Sequence, residues 1–171
     1  GCFGGRAALT GTQGFTDGGF DVSILDKWSN WFCFCSRHNL MDVLAKAQTG
    51  KWALLQWCKT NPVPTCNHTY LSDVEYVVHA WTKGRLFGEF KDKSLWFAHP
   101  VGDKESDHPN EKPVKLIAKL LKLGSLVGES IVDPFMGSGT TLVAAKLESR
   151  KATGIEINER YCEIAAKRLS Q

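Results

Sequence analysis

The sequence predicts an α/β domain with a mostly parallel sheet and helices on both faces. Two observations lead there. Short apolar runs of strand length alternate with segments of helical spacing along most of the chain. In the second half a glycine-rich turn, Gly137-Ser138-Gly139, sits between a strand-like run and a helix-like run.

The elements follow in order. Gly1 to Gly19 is glycine-rich and polar and reads as a loop. Phe20, Ile24, Leu25 and Trp28 have helical spacing. Trp31 to Cys35 is an aromatic apolar run and predicts a buried strand, followed by a helix over Leu40 to Ala47 and a second strand over Trp52 to Trp57. Lys59 to Pro64 is a loop stiffened by two prolines, which fix backbone angles and remove donors. Tyr76 to Trp81 predicts a third strand. Gly84 to Asn110 is charged, has little periodicity, and reads as an irregular insertion or small hairpin. Pro113 opens a helix that places Leu116, Ile117, Leu120 and Leu121 on one face, and Gly124 is expected to stop it. Ser130 to Asp133 is a strand, Thr140 to Leu147 a helix, Ala152 to Glu156 a strand and Arg160 to Leu169 the final helix.

Composition narrows the function. The 171 residues are 43% hydrophobic and 23% charged, which suits one globular domain with a real core. No apolar run reaches the roughly 18 residues of a membrane span, and no secretory signal opens the chain. A net charge of +3 permits a polyanionic partner without requiring one. The six cysteines form no C-x-x-C pair and no zinc spacing, so they read as reduced thiols with no metal site. Asn67-His68-Thr69 matches a glycosylation acceptor and is read as chance. His38, His68, His79 and His99 have no spacing that carries chemistry and read as surface or core groups.

The strongest motif is Asp133-Pro134-Phe135-Met136-Gly137-Ser138-Gly139-Thr140-Thr141. The glycines allow a tight turn and close approach of a ligand, and the helix start behind them offers unpaired backbone N–H groups. About twenty residues on, Glu156 is placed to accept both hydroxyls of a ribose. A nicotinamide fingerprint wants a third glycine where Leu142 stands, and a P-loop wants a lysine after Gly139. Asp133 at the loop mouth repels phosphate and attracts an ammonium. S-adenosylmethionine (SAM), with a ribose, an adenine and a zwitterionic amino-acid end, therefore fits better than a dinucleotide or ATP. A tight turn without a ligand is the competing explanation.

Asp133 to Thr141 followed by Gly154 to Tyr161 resembles the SAM-binding motifs of the amino-group DNA methyltransferases. His108-Pro109-Asn110-Glu111-Lys112-Pro113-Val114-Lys115-Leu116 resembles the segment that precedes those motifs in their beta subgroup, as do Leu55 to Pro64 and Asp73 to Val77. The resemblance runs from about Trp31 onward and is weakest from Gly84 to Asp107. It implies a Rossmann-like SAM-dependent methyltransferase fold with permuted motif order. Within one domain, 1–83 would be the catalytic half, 84–107 a short target-recognition insertion and 108–171 the SAM-binding half.

The cofactor-binding residues it implies, with the turn residues read above, are His108, Asn110, Lys112, Pro113, Asp133, Phe135, Met136, Gly137, Ser138, Gly139, Thr140, Glu156 and Asn158. The DNA contacts singled out are Lys59, Asn61, Lys83, Arg85, Lys91 and Lys93, since phosphates are met by cations and amides, with ordinary surface charge as the alternative, and Asn61 and Pro62 as shapers of a flipped-base pocket, with a rigid structural loop as the alternative. Trp96 and Phe97 are candidates to stack on bases or to pack in the core.

The subgroup's catalytic Asp/Ser/Asn-Pro-Pro-Tyr/Phe tetrapeptide is not among residues 1–171, so no catalytic residue is assigned. The expectation is that it lies upstream of Gly1 and that this stretch alone binds SAM without methylating. The implied reaction moves a methyl group from SAM to an exocyclic amino nitrogen of a base flipped from duplex DNA, with adenine N6 preferred over cytosine N4. The implied setting is the cytoplasm of a bacterium, or a phage gene expressed there. A monomer or homodimer is expected, with a cognate restriction endonuclease as a candidate partner. A non-catalytic SAM- or nucleic-acid-binding homologue, and an enzyme acting on RNA or a small molecule, are the competing readings.

Overall fold

The computed structural model describes residues 21–36, 38–62, 64, 70–82, 86–102 and 111–171. His108, Asn110, Lys83 and Arg85 lie outside them, as do the opening loop, the Asn67-His68-Thr69 triplet, Cys2 and Cys66. The described chain opens on a 3-10 helix, Val22–Lys27, capped by the Asp21 carboxylate, which accepts from the Ser23 N–H. There follow β1 (Asn30–Cys35), α1 (Leu40–Ala47), β2 (Lys51–Lys59), β3 (Val74–Trp81), a second 3-10 helix (Phe90–Lys93), β4 (Trp96–His99), α2 (Val114–Gly124), β5 (Ser130–Asp133), α3 (Thr140–Leu147), β6 (Lys151–Gly154) and α4 (Glu159–Leu169).

The sheet is mixed, not mostly parallel. Four strands run in the order β1-β3-β2-β4, and β5 and β6 form a parallel pair of their own. β3 is antiparallel to both β1 and β2, while β4 is parallel to β2. The connections explain this. α1 carries the chain over from β1 to β2, so those two run the same way with space between them for β3. No described helix separates β2 from β3, and a parallel pair needs a crossover of roughly a dozen residues or more, usually helical. The Gly84–Asn110 stretch is not purely irregular: its WFAH segment forms the edge strand β4, with Phe97 opposite Trp57.

Helices cover both faces. Alternation puts Phe32, Phe34, Leu55, Trp57, Val77 and Phe97 on one face, packed with Leu116, Ile117, Leu120 and Leu121 of α2. Ile131 of β5 and Ala144 and Ala145 of α3 belong to the same core, which joins the small sheet to the large one. The other face buries Trp31, Cys33, Cys35, Val78 and Ala80 beneath Leu25, Val43 and Ala47. Phe97 is thus core, whereas Trp96 is exposed. Gly124 is the last residue of α2 rather than its stop, and its role is steric: a Cβ there would lie 2.5 Å from the Phe32 ring.

His79 lies within the sheet, stacked on Phe32 with ring centroids 3.9 Å apart and on Trp81 at 4.6 Å. Its Nε2 is 2.9 Å from Asn30 Oδ1, and Asn30 in turn donates to the Gly124 carbonyl. Burial pushes its pKa down from 6.5 to about 3. A depressed histidine leaves the native state with fewer bound protons than the unfolded chain. Its contribution is therefore complete above pH 6.5 and is lost as pH falls toward 3. Urea unfolding should show a loss of about 2 kcal/mol from this group between pH 8 and pH 5. His79→Phe should remove that slope, and an unchanged slope would refute the assignment.

Candidate cofactor site

The predicted turn lies at the C-terminal ends of β5 and β6, where a strand pair hands over to two helices. β5 ends at Asp133, a carboxylate only 2% exposed, whose Oδ1 accepts from the Phe135 N–H at 3.0 Å. The chain then turns through Met136, whose N–H donates to the Ile155 carbonyl, while the Ile155 N–H donates to the Asp133 carbonyl. These bonds stitch the turn to the residue after β6. Gly137 and Gly139 have φ of 53° and 80°, in the left-handed region where other residues pay a steric cost. Gly139 also meets α4 closely: a Cβ there would lie 2.6 Å from Ala165 Cβ.

Glu156 stands just beyond β6. Its Oε2 accepts from the Gly137 N–H at 3.0 Å and its Oε1 from the Asn158 N–H at 2.9 Å. Asn158 then caps α4 by accepting from the Arg160 N–H. The acidic residue and the glycine turn, separate in sequence, are thus in direct contact. Phe135 is 37% exposed, Ile155 57% and Ile157 83%, so apolar side chains reach the surface on both sides of the carboxylate in the chain. The Glu156 carboxylate, a glycine cradle and apolar flanks suit a ligand that combines vicinal hydroxyls and a flat apolar ring.

Ser138 and Thr140 face inward. Arg168, from the last turn of α4, donates to the Ser138 carbonyl at 2.9 Å, to Ser138 Oγ at 3.1 Å and to Thr140 Oγ1 at 3.2 Å. Arg168 also pairs with Glu111 at 3.2 Å, and Ser138 Oγ donates to the other Glu111 oxygen. Sequence reading assigned no role to Glu111 or Arg168. A signal was present: Tyr161, Ala165 and Arg168 follow helical spacing, which puts an arginine on the inward stripe of α4.

The next residue, Lys112, turns the other way. Its ammonium pairs with Glu75 Oε2 at 2.5 Å and lies over the rings of Phe34 and Trp57. Lys59 pairs with the other oxygen of Glu75 at 2.9 Å and donates to the Ser72 carbonyl. Burial alone would raise the Glu75 pKa, but the Lys112 and Lys59 ammoniums hold it below its ordinary value. Lys59, expected among the DNA contacts, therefore has its charge matched within the fold, with its side chain 13% exposed. Asn61 exchanges two hydrogen bonds with the Val101 backbone, which pins the loop after β2 to the chain after β4. Pro62 adjoins it in that loop, and Pro113 is buried at the start of α2. Lys91 and Lys93 are exposed on the second 3-10 helix, Lys91 beside Glu89.

A profile of the DNA methylase family matches residues 23–167. The chain is 32% identical over 156 residues to the type II methyltransferase M2.LlaDCHI of Lactococcus lactis subsp. cremoris, covering 80% of this chain and 58% of that one. It is 32% identical over 154 residues to M2.DpnII of Streptococcus pneumoniae, covering 78% and 58%. It therefore spans under two thirds of the length of either relative. Among solved structures, the M1.HpyAVI–SAM complex is similar with a TM-score of 0.71 and 28% identity, over 83% of this chain and 74% of that one.

Proposed function

The chain belongs to the DNA methylase family, and from that premise we propose that it forms the cofactor-binding part of a site-specific DNA methyltransferase that uses SAM. The observation that carries this reading is the Glu156 carboxylate held against the N–H of Gly137 at the mouth of the glycine turn. In this reading Glu156 accepts the ribose hydroxyls and Asp133 faces the ammonium of the amino-acid end. Gly137 and Gly139 let the backbone approach, and Phe135 and Met136 line the apolar side. Asn158 holds Glu156 in place, while Ser138 and Thr140 support the turn from behind. Lys112 and Pro113 border the site from the start of α2.

When bound, SAM supplies a methyl group activated by its sulfonium. The protein's task is to hold that group in line with a base amino nitrogen and to keep water out, which acts through orientation and charge placement. The base must leave the helix stack to reach a methyl group held at the C-terminal ends of β5 and β6. Of the cations expected to meet phosphates, Lys91 and Lys93 are exposed on the second 3-10 helix. Among the described residues, no helix is long and apolar enough to cross a membrane.

The test incubates the full-length protein with SAM and unmethylated duplex DNA, then digests the DNA for nucleoside mass spectrometry. N6-methyladenine or N4-methylcytosine is the expected product, and it names the target base. SAM binding with no methylated nucleoside would overturn the reading in favour of a non-catalytic homologue or a different acceptor.

A further inference from the structure

Glu111 and Arg168 sit behind the glycine turn, on the side away from the proposed ligand. Their side chains are 4% and 6% exposed, which is unusual for a carboxylate and a guanidinium. A buried ion pair is a poor source of net stability, because desolvating both charges offsets most of their attraction. Here the pair does something more specific. The guanidinium grips the Ser138 carbonyl and the hydroxyl oxygens of Ser138 and Thr140, and Glu111 accepts a hydrogen bond from the Ser138 hydroxyl. Glu156 grips the same turn from the other side through Gly137. Both grips come from one stretch, Glu156 through Arg168, so the loop before α4 and the last turn of α4 hold the turn from two sides. Glu111 is fixed in its turn by its neighbour, since Lys112 is anchored to Glu75, Phe34 and Trp57 of the large sheet.

We infer that Glu111 and Arg168 are positioning residues for the cofactor turn: they hold Gly137-Ser138-Gly139 in its ligand-ready shape and tie that shape, through Lys112, to the edge of the large sheet. This rests on the SAM-binding reading above. A guanidinium suits this place because Nη1 shares its two hydrogens among the Ser138 carbonyl and the Ser138 and Thr140 hydroxyls while Nη2 meets the Glu111 carboxylate. The ammonium of a lysine offers a point charge and fewer fixed directions.

The test measures SAM binding by titration calorimetry, together with the ligand-free melting midpoint and hydrogen exchange of residues 137–140. The proteins are wild type, Glu111→Gln, Arg168→Lys and Arg168→Met. Arg168→Met is expected to raise the SAM Kd about tenfold or more, Arg168→Lys and Glu111→Gln by less, with stoichiometry retained and faster exchange in the turn. Folded variants that bind SAM with the wild-type Kd, and differ only in melting midpoint, overturn the inference while leaving the SAM reading intact. If Arg168→Met does not fold, the milder Glu111→Gln decides on the same criteria. A folded wild-type protein that binds no SAM overturns the SAM reading itself, and this inference with it.

Discussion

Gly139→Ala is expected to lower stability by about 3 kcal/mol and to weaken SAM binding at least tenfold. Two independent costs combine. The backbone φ of 80° suits glycine and costs an alanine roughly 1–2 kcal/mol. The new methyl would also lie 2.6 Å from Ala165 Cβ, so α4 must shift, and overpacking of this kind typically costs about 1–3 kcal/mol. The shift matters for binding because α4 carries Arg168, and Asn158 at its cap adjoins Glu156. The costs can be separated by pairing Gly139→Ala with Ala165→Gly. That second change removes the opposing methyl but leaves the strained φ. Urea unfolding of the two singles and the double should show a favourable coupling of about 1 kcal/mol or more. Full additivity would mean that the helix contact is not what excludes a side chain at 139.

Glu156→Gln is expected to raise the SAM Kd by about a hundredfold while costing about 1 kcal/mol of stability. The carboxylate accepts from two backbone N–H groups in the protein, and the proposed ribose contact adds two more donors. An amide keeps one accepting oxygen but presents an NH2 group to donors, so at least one N–H or hydroxyl loses its acceptor. Charge-assisted bonds of this kind are about twice as strong as neutral ones, which sets the scale of the binding loss. Calorimetry with SAM and with adenosine tests the assignment directly. Adenosine, which has the ribose but no amino-acid end, should lose affinity in the same proportion. A variant that loses SAM affinity but not adenosine affinity would move Glu156 away from the ribose.

The sequence was most legible where chemistry constrains short spacing. The turn from Asp133 to Thr140 and the acidic Glu156 were readable because glycine, acidic and strand residues recur at distances set by a strand–turn–helix unit. The helix α2 was readable from its apolar stripe of Leu116, Ile117, Leu120 and Leu121. Strand order was less so. The antiparallel β3 lies between two strands joined by α1, and pairing across the sheet leaves no mark on local periodicity. β4 is legible only as one option within an irregular insertion or small hairpin, because four residues, exposed on alternate positions, give too short a pattern beside a charged segment. Lys59 shows the limit for surface chemistry. It looked like a phosphate contact until Glu75, distant in sequence, proved to be its partner. Charge in a sequence says that a partner is needed and not which one. Glu111 is hidden for the same reason, while Arg168 is betrayed only by its helical spacing from Tyr161 and Ala165.

Gly154, at the end of β6, has a consequence for how this site can change over generations. A Cβ at that position would collide with the Met136 sulfur and lie 2.9 Å from Leu142 Cδ1 and 3.0 Å from Met136 Cβ. The missing side chain of one residue is therefore the socket for the other. The two positions are coupled: a descendant that acquires alanine or serine at 154 is expected to favour a smaller or re-seated side chain at 136, with Leu142 shifting beside it. Tolerance at 136 should likewise narrow or widen with whatever occupies 154. A saturation library at both positions, selected for SAM binding, would yield linked pairs instead of independent choices, and the turn would drift as a matched couple.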